Sequence, residues 1–247
     1  MKYKEYSTLL LDTPAADVLQ LTLNRPEFSN AFNTQMALDL VDFFEGLAMQ
    51  AQQSRCLIVT GTGERAFCAG GDLKERDGMS DQAWFQQHLI YERMLRAILG
   101  CPIPVIAAVN GAAFGGGCEL VAAVDFAYAS DNAIFALTET SLGIIPGAGG
   151  TQTIARALGE RRAKELILSA RRFDAGQACQ WGLVNAVFTP AELLPEAIKT
   201  ATRIAANAPI AVRQARQAIH HGLQMSLSDG LVFEIECYNR TVPSQDR

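Results

Sequence analysis

The 247 residues carry 21 Lys and Arg against 26 Asp and Glu, a formal net charge of −5, with 49% apolar residues. A chain of this length and balance builds one large domain, or one domain with an appendage, around its own core. The acidic balance does not suggest a nucleic-acid partner, which would favour a basic face, and no uncharged apolar run reaches membrane-spanning length.

Near the N-terminus the longest apolar run is the leucine triplet at residues 9–11. That is too short for a signal peptide, so a cytoplasmic protein is expected. Alternation predicts strands over residues 8–12 and 18–23, paired around a turn at 13–17. Asn33 has the side chain of an N-cap, and Met36, Leu38, Leu40, Val41, Phe44 and Leu47 form the apolar set of the helix it starts. Residues 56–60 read as a short buried strand, 81–99 as an amphipathic helix and 104–109 as a second buried strand. Further strands are expected at 124–129 and 133–135. Strands alternating with helices predict an α/β architecture with largely parallel pairing.

Beyond about residue 189 the strand signals stop. Helices are expected over 191–206, 210–221 and 227–238, with Pro209 between the first two. This divides the chain into a core with the active site, residues 1–190, and a helical segment, residues 191–247. Leu227, Leu231, Val232 and Ile235 bury either against the core or against another subunit. The cysteines Cys56, Cys68, Cys101, Cys118, Cys179 and Cys237 show no CxxC spacing and read as small core residues in a reducing compartment. His88, His220 and His221 have neither metal nor triad spacing, so no metal site is expected.

The chemistry concentrates in residues 109–152. Gly115, Gly116 and Gly117 precede an apolar helical pattern with Glu119 in its first turn, and Glu139 follows, just ahead of Gly147, Gly149 and Gly150. Glycines let backbone N–H groups approach a ligand, and at a helix start those donors are unpaired at the positive end of the dipole. Gly70 and Gly71 form another bend after an apolar strand. Two such bends aimed at one oxygen describe a two-donor oxyanion hole. Glu119 lies between Cys118 and Leu120 in a helix that reads as buried, where a carboxyl is costly unless paired or functional. The plainer reading is a first-turn acid favouring the helix dipole. Glu139 alone reads as a solvated loop residue. The run Gly61-Thr-Gly63-Glu-Arg-Ala66 fits GxGxxA, but turn-forming residues follow it where a dinucleotide fingerprint needs a helix. The basic run Arg156, Arg161, Arg162, Lys164, Arg171 and Arg172 reads as a solvated or subunit-facing surface. Gly147–Gly150 reads as a tight turn that starts a helix, without a catalytic role.

Together the segments LTLNRPEFSNAF, AFCAGGDLKER, PVIAAVNGAAFGGGCEL, FALTETSLGIIPGAGGTQ and AKELILSARRFDAGQACQWGLVNAV resemble the enoyl-CoA hydratase/isomerase (crotonase) family over nearly the whole chain. The resemblance implies a spiral of ββα units, a C-terminal helical segment at a subunit interface, and a homotrimer or a hexamer of paired trimers. It also implies coenzyme A thioester substrates, with coenzyme A as part of the substrate and no separate cofactor. The oxyanion-hole donors correspond to the N–H groups of Gly71 and Gly116, and the acyl-CoA pocket to Ala69, Gly71, Asp72, Leu73, Lys74 and Gly116. The two hydratase glutamates correspond to Glu119, which activates water, and Glu139, which protonates the α-carbon. Many isomerase and decarboxylase relatives keep only one acid or move it, so the pair argues for hydration over isomerisation.

Within the family, GGDLKER, LTETSLGIIPG, AKELILSARRFDAGQA and ECYNRTVPSQDR are similar to the branch of methylglutaconyl-CoA hydratases that also bind AU-rich RNA. A 3-methylglutaconyl group needs a cation for its distal carboxylate, and Lys74, Arg76 and Arg213 are candidates by type. The stretch equivalent to the lysine-rich N-terminal helix of the RNA-binding members here holds Glu27, Asp39, Asp42 and Glu45, with Arg55 the nearest downstream cation, which argues against RNA. Relatives continue past the position of Arg247 through a short helix that helps cover the pocket.

Overall fold

The computed structural model describes residues 4–49 and 54–245. Its larger sheet contains β1 (Leu9–Ala15), β2 (Val18–Leu23), β3 (Cys56–Gly61), β5 (Val105–Val109), β7 (Phe126–Ser130) and β10 (Ala186–Phe188), in that spatial order. The smaller contains β4 (Ala66–Cys68), β6 (Ala112–Phe114), β8 (Ile134–Ala136) and β9 (Phe173–Asp174). The helices are α1 (Thr34–Met49), α2 (Leu73–Arg76), α3 (Asp81–Leu99), α4 (Gly116–Ala123), α5 (Gly150–Leu158), α6 (Glu160–Ser169), α7 (Ala175–Trp181), α8 (Pro190–Ala205), α9 (Pro209–Gly222) and α10 (Leu227–Asn239).

The pairs β3/β4, β5/β6 and β7/β8 each place their first strand in the large sheet and their second in the small one. Helical segments follow each pair, so the chain winds as the spiral of ββα units that the resemblance implies. Pairing is parallel except between β1 and β2 and between β8 and β9. The large sheet is covered on both faces. Leu57 and Val59 of β3 join the main core, whereas Cys56 and Ile58 join a second core with Val18, Ile106, Ala108 and the α8 residues Leu193, Ala197 and Ala201. Burial on both sides is why β3 reads as a continuous apolar run rather than an alternating one.

Local chemistry sets the helix starts as expected. Asn33 Oδ1 accepts from Met36 N–H at 2.9 Å to begin α1. Ser80 caps α3, whose buried face carries Gln87, Tyr91, Met94 and Ile98 at helical spacing.

Several expectations change. β1 continues to Ala15, and a register shift between Asp12 and Ala15 absorbs residues assigned to the turn. Leu38, counted in the apolar set of α1, is 41% exposed. Residues 66–68, read as turn-forming, are the wholly buried strand β4. Three residues carry no usable periodicity, and pairing with β6 makes them a strand. Helix α8 lies against the outer face of the large sheet. Helices α9 and α10 pack on each other, and Arg216 ties α9 to the core through Asp125 Oδ1 and the Cys101 carbonyl, both at 2.6 Å. On α10, Leu227, Leu231, Val232 and Ile235 are exposed, so the core does not cover them. Among the described residues no helix is long and apolar enough to cross a membrane.

The spiral brings α4 against β4 at Gly117. A Cβ there would lie 2.1 Å from the Cys68 carbonyl oxygen, a backbone atom that cannot swing aside. Gly117→Ala is therefore expected to destabilise the fold by about 3 kcal/mol. Chemical denaturation checks this, and a loss near zero would contradict the close approach.

Candidate active site

A cavity of about 720 Å³ opens between α3, the bend after β4, the start of α4 and the loop entering α5. Ala69, Gly71, Leu73, Gly116, Glu119 and Glu139 all line it. Asp72 and Lys74 do not. Asp72 caps α2 by accepting from the N–H groups of Lys74 and Glu75, and it forms a buried ion pair with Arg25 at 2.9 Å. The Lys74 ammonium lies 5.7 Å from the Phe28 ring. Of the three candidate cations only Arg76 lines the cavity, and Arg213 donates to the Pro209 carbonyl on α9.

Two backbone donors are left open. Phe32 N–H donates to the Gly70 carbonyl at 2.7 Å and Asp72 N–H to the Phe32 carbonyl at 2.8 Å. These bonds flank Gly71 and fix its peptide, while its own N–H has no acceptor among the described residues. Gly116 is the first residue of α4, so its N–H has no partner four residues back. Gly70 holds the two together with a φ of +89°, and a Cβ there would stand 2.7 Å from the Phe114 carbonyl oxygen and 3.1 Å from Gly116 N. Glycine is required at this position for both its conformation and the open donor.

Both carboxyls are buried, Glu119 at 2% exposure and Glu139 at 8%. Glu119 Oε1 accepts from Ala148 N–H at 2.8 Å and Gly150 N–H at 2.7 Å. Burial pushes its pKa up to about 7, further raised by the Glu139 charge and opposed by the two amides. Glu139 begins a 3-10 turn, Glu139–Leu142, and burial raises its pKa as well. Its Oε2 is buried without a hydrogen-bond partner.

The family model for enoyl-CoA hydratase/isomerase matches residues 13–247. The chain belongs to that family. YngF of Bacillus subtilis, assigned to the same family, is 44% identical over 92% of this chain and 87% of its own. A short-chain-enoyl-CoA hydratase of Clostridium acetobutylicum is 38% identical over 93% of this chain and 88% of its own. The crystal structure of an enoyl-CoA hydratase from Bacillus anthracis superposes with a TM-score of 0.95 at 41% identity, covering 98% of this chain and 93% of that one.

One feature of this family member corrects the sequence reading. Gly147–Gly150 does start a helix, with Gly149 as the N-cap of α5. It also holds Glu119 through the Ala148 and Gly150 amides, so the cluster is part of the site. The match between a carboxylate and amides at a helix start is electrostatic, and the spacing along the chain carries no sign of it. A Cβ on Gly150 would come within 2.8 Å of Glu119 Oε1.

Arg76 is one of three cations that suit a distal carboxylate by type, and position separates it from Lys74 and Arg213. Its guanidinium lies over the Trp84 ring at 4.3 Å and the Tyr91 ring at 5.1 Å, and Nε donates to Gln87 Oε1 at 2.8 Å. Gln87 is itself fixed by donating to Thr34 Oγ1 and Glu75 Oε2. No acid of the described residues pairs with Arg76. In the basic run, Arg162 on α6 and Arg171 beyond its end both engage Glu165 and flank the Trp181 ring, and Lys164 pairs with Glu160.

The thiols next to the site are buried and free. Burial pushes Cys68 up to about 12 and Cys118 well above its ordinary value.

Because the folded-state pKa of Glu119 stands above its ordinary 4.5, the folded protein binds that proton more tightly than the unfolded chain. The resulting stability is fully present below about pH 4.5 and is lost as pH rises through about 7. Unfolding free energies at about pH 5 and about pH 8 are expected to differ, and Glu119→Gln to shrink the difference by on the order of 2–3 kcal/mol. An unchanged difference in the variant would refute the shift.

Proposed function

We propose that the protein is an enoyl-CoA hydratase that adds water syn across the α,β double bond of an enoyl-CoA thioester. The observation that carries this reading is the convergence of Glu119, Glu139 and the two unpaired N–H groups of Gly71 and Gly116 on one cavity. The thioester carbonyl accepts from both N–H groups. Glu119 takes a proton from water as the water oxygen bonds to the β-carbon. The double-bond electrons move toward the carbonyl oxygen, where the two donors stabilise the enolate by about 3 kcal/mol for a single strong donor. Glu139 gives a proton to the α-carbon, and the proton taken up by Glu119 passes back to Glu139 through solvent before the next turnover. The coulombic effect of Glu139 on Glu119 makes them a coupled pair. The chemistry is acid/base throughout, coenzyme A enters with the substrate, and no further cofactor is assigned.

For the acyl group we propose a substrate with a distal carboxylate, of the 3-methylglutaconyl type. Arg76 supports this, because it is a guanidinium on the cavity wall with no acid partner among the described residues. A charge-assisted pair contributes about 1.5–3 kcal/mol. Arg76→Ala is thus expected to lower kcat/KM for 3-methylglutaconyl-CoA by about 10- to 100-fold and to spare crotonyl-CoA. Equal losses on both substrates would remove Arg76 from that role.

The exposed apolar residues of α10 support a homotrimer, or a hexamer of two trimers, with residues 191–247 contributing the interface. Light scattering giving a monomer mass would contradict it. The free, buried thiols suit the cytoplasm.

Hydration is measured by loss of the conjugated thioester absorbance, with solvent oxygen from heavy-oxygen water appearing in the product. An isomerase of the same family would incorporate none. Glu119→Gln and Glu139→Gln are each expected to lower kcat by about 10²- to 10⁴-fold with little change in KM. Near-normal turnover in either variant would take that residue out of the mechanism.

A further inference from the structure

The two glutamates are anchored differently. Glu119 is gripped at its carboxylate by two amides. The carboxyl of Glu139 takes no hydrogen bond from any other described residue, so its place is set by the turn that carries it. Within that turn the backbone bonds are local, from Ser141 N–H to the Thr138 carbonyl and from Ile144 N–H to the Glu139 carbonyl. Ser141 Oγ also bonds locally, to the Thr138 carbonyl. Among the described residues one side-chain hydrogen bond joins the turn to another element. Thr140 Oγ1 donates to the Ile167 carbonyl of α6 at 2.6 Å.

The acceptor is suited to this task. Ile167 lies in the last turn of α6, where carbonyls lack helical partners. The helix ends at Ala170, in a left-handed conformation with φ of 52°, and Arg171 N–H turns to Ser169 Oγ instead of Ile167. The Thr140 hydroxyl therefore meets an otherwise open acceptor, and the bond fixes both the turn and its register on α6.

We propose that Thr140 is a positioning residue that fixes the carboxyl of Glu139 for proton delivery by anchoring its turn to α6. This inference rests on the hydratase reading and on the role given there to Glu139. Displacing a catalytic group by about 1 Å costs on the order of 10²-fold in rate. Thr140→Val keeps the shape of the side chain and removes the donor. It is expected to lower kcat for crotonyl-CoA hydration by about 10- to 100-fold, with KM within about twofold, while Thr140→Ser restores most of the rate.

The deciding comparison is a double-mutant cycle. If Thr140 acts through the Glu139 carboxyl, adding Thr140→Val to Glu139→Gln leaves the residual rate within about twofold. A general structural role, or failure of the variant to fold, would reduce the residual rate further and overturn the proposal. So would a normal kcat in Thr140→Val, or equal losses in the Val and Ser variants. A wild-type protein that hydrates no enoyl thioester is a separate outcome, and it overturns the hydratase reading itself.

Discussion

The site depends on how a carboxylate can be held inside an apolar spiral. Glu119 sits in the first turns of α4, surrounded by core, where burial alone drives it toward the neutral acid. The amides of Ala148 and Gly150 oppose that drive. Their position at the start of α5 means that one interaction sets the acidity of the group, joins two helices and closes one wall of the cavity. Much of the local glycine content follows from it, since side chains on Gly150 and Gly117 would displace the carboxylate or part α4 from β4.

Around that interaction the spiral supplies the rest. Successive turns bring the bend after β4, the start of α4 and the turn after β8 to one end of the small sheet's strands. The two donors of the proposed oxyanion hole fit this geometry, because each bend leaves backbone N–H groups at a point where a strand has ended. Asp72 contributes from behind the cavity. Its cap on α2 and its ion pair with Arg25 hold the residue next to Gly71, so it shapes the site without lining it.

The sequence made the strong periodic elements legible. Asn33, the α3 pattern and the doubly buried β3 were readable because capping chemistry, helical spacing and two-sided burial each leave a mark along the chain. The glycine bends and Glu119 were legible as chemistry, and the family resemblance added Glu139, which by itself reads as a solvated loop residue. The strands β4 and β6 were not, since three residues each hold no period and owe their conformation to one another. The same limit hid the hold of Ala148 and Gly150 on Glu119, a contact across 29 and 31 residues made by backbone atoms that every residue type possesses. The choice of Arg76 over Lys74 and Arg213 also needed three dimensions, because charge type is visible in sequence and the direction of a side chain is not.

The burial of the cysteines has a bearing on the reaction itself. An α,β-unsaturated thioester is an electrophile, and a nearby thiolate would add to its β-carbon in place of water. Cys68 lies one residue before the cavity-lining Ala69, and Cys118 adjoins Glu119. Thiolates rather than thiols are the nucleophiles, and burial keeps both of these protonated. Neither thiol lines the cavity, so the packing that shapes the α4 core also keeps these two sulfurs off the wall that an electrophilic acyl group would meet.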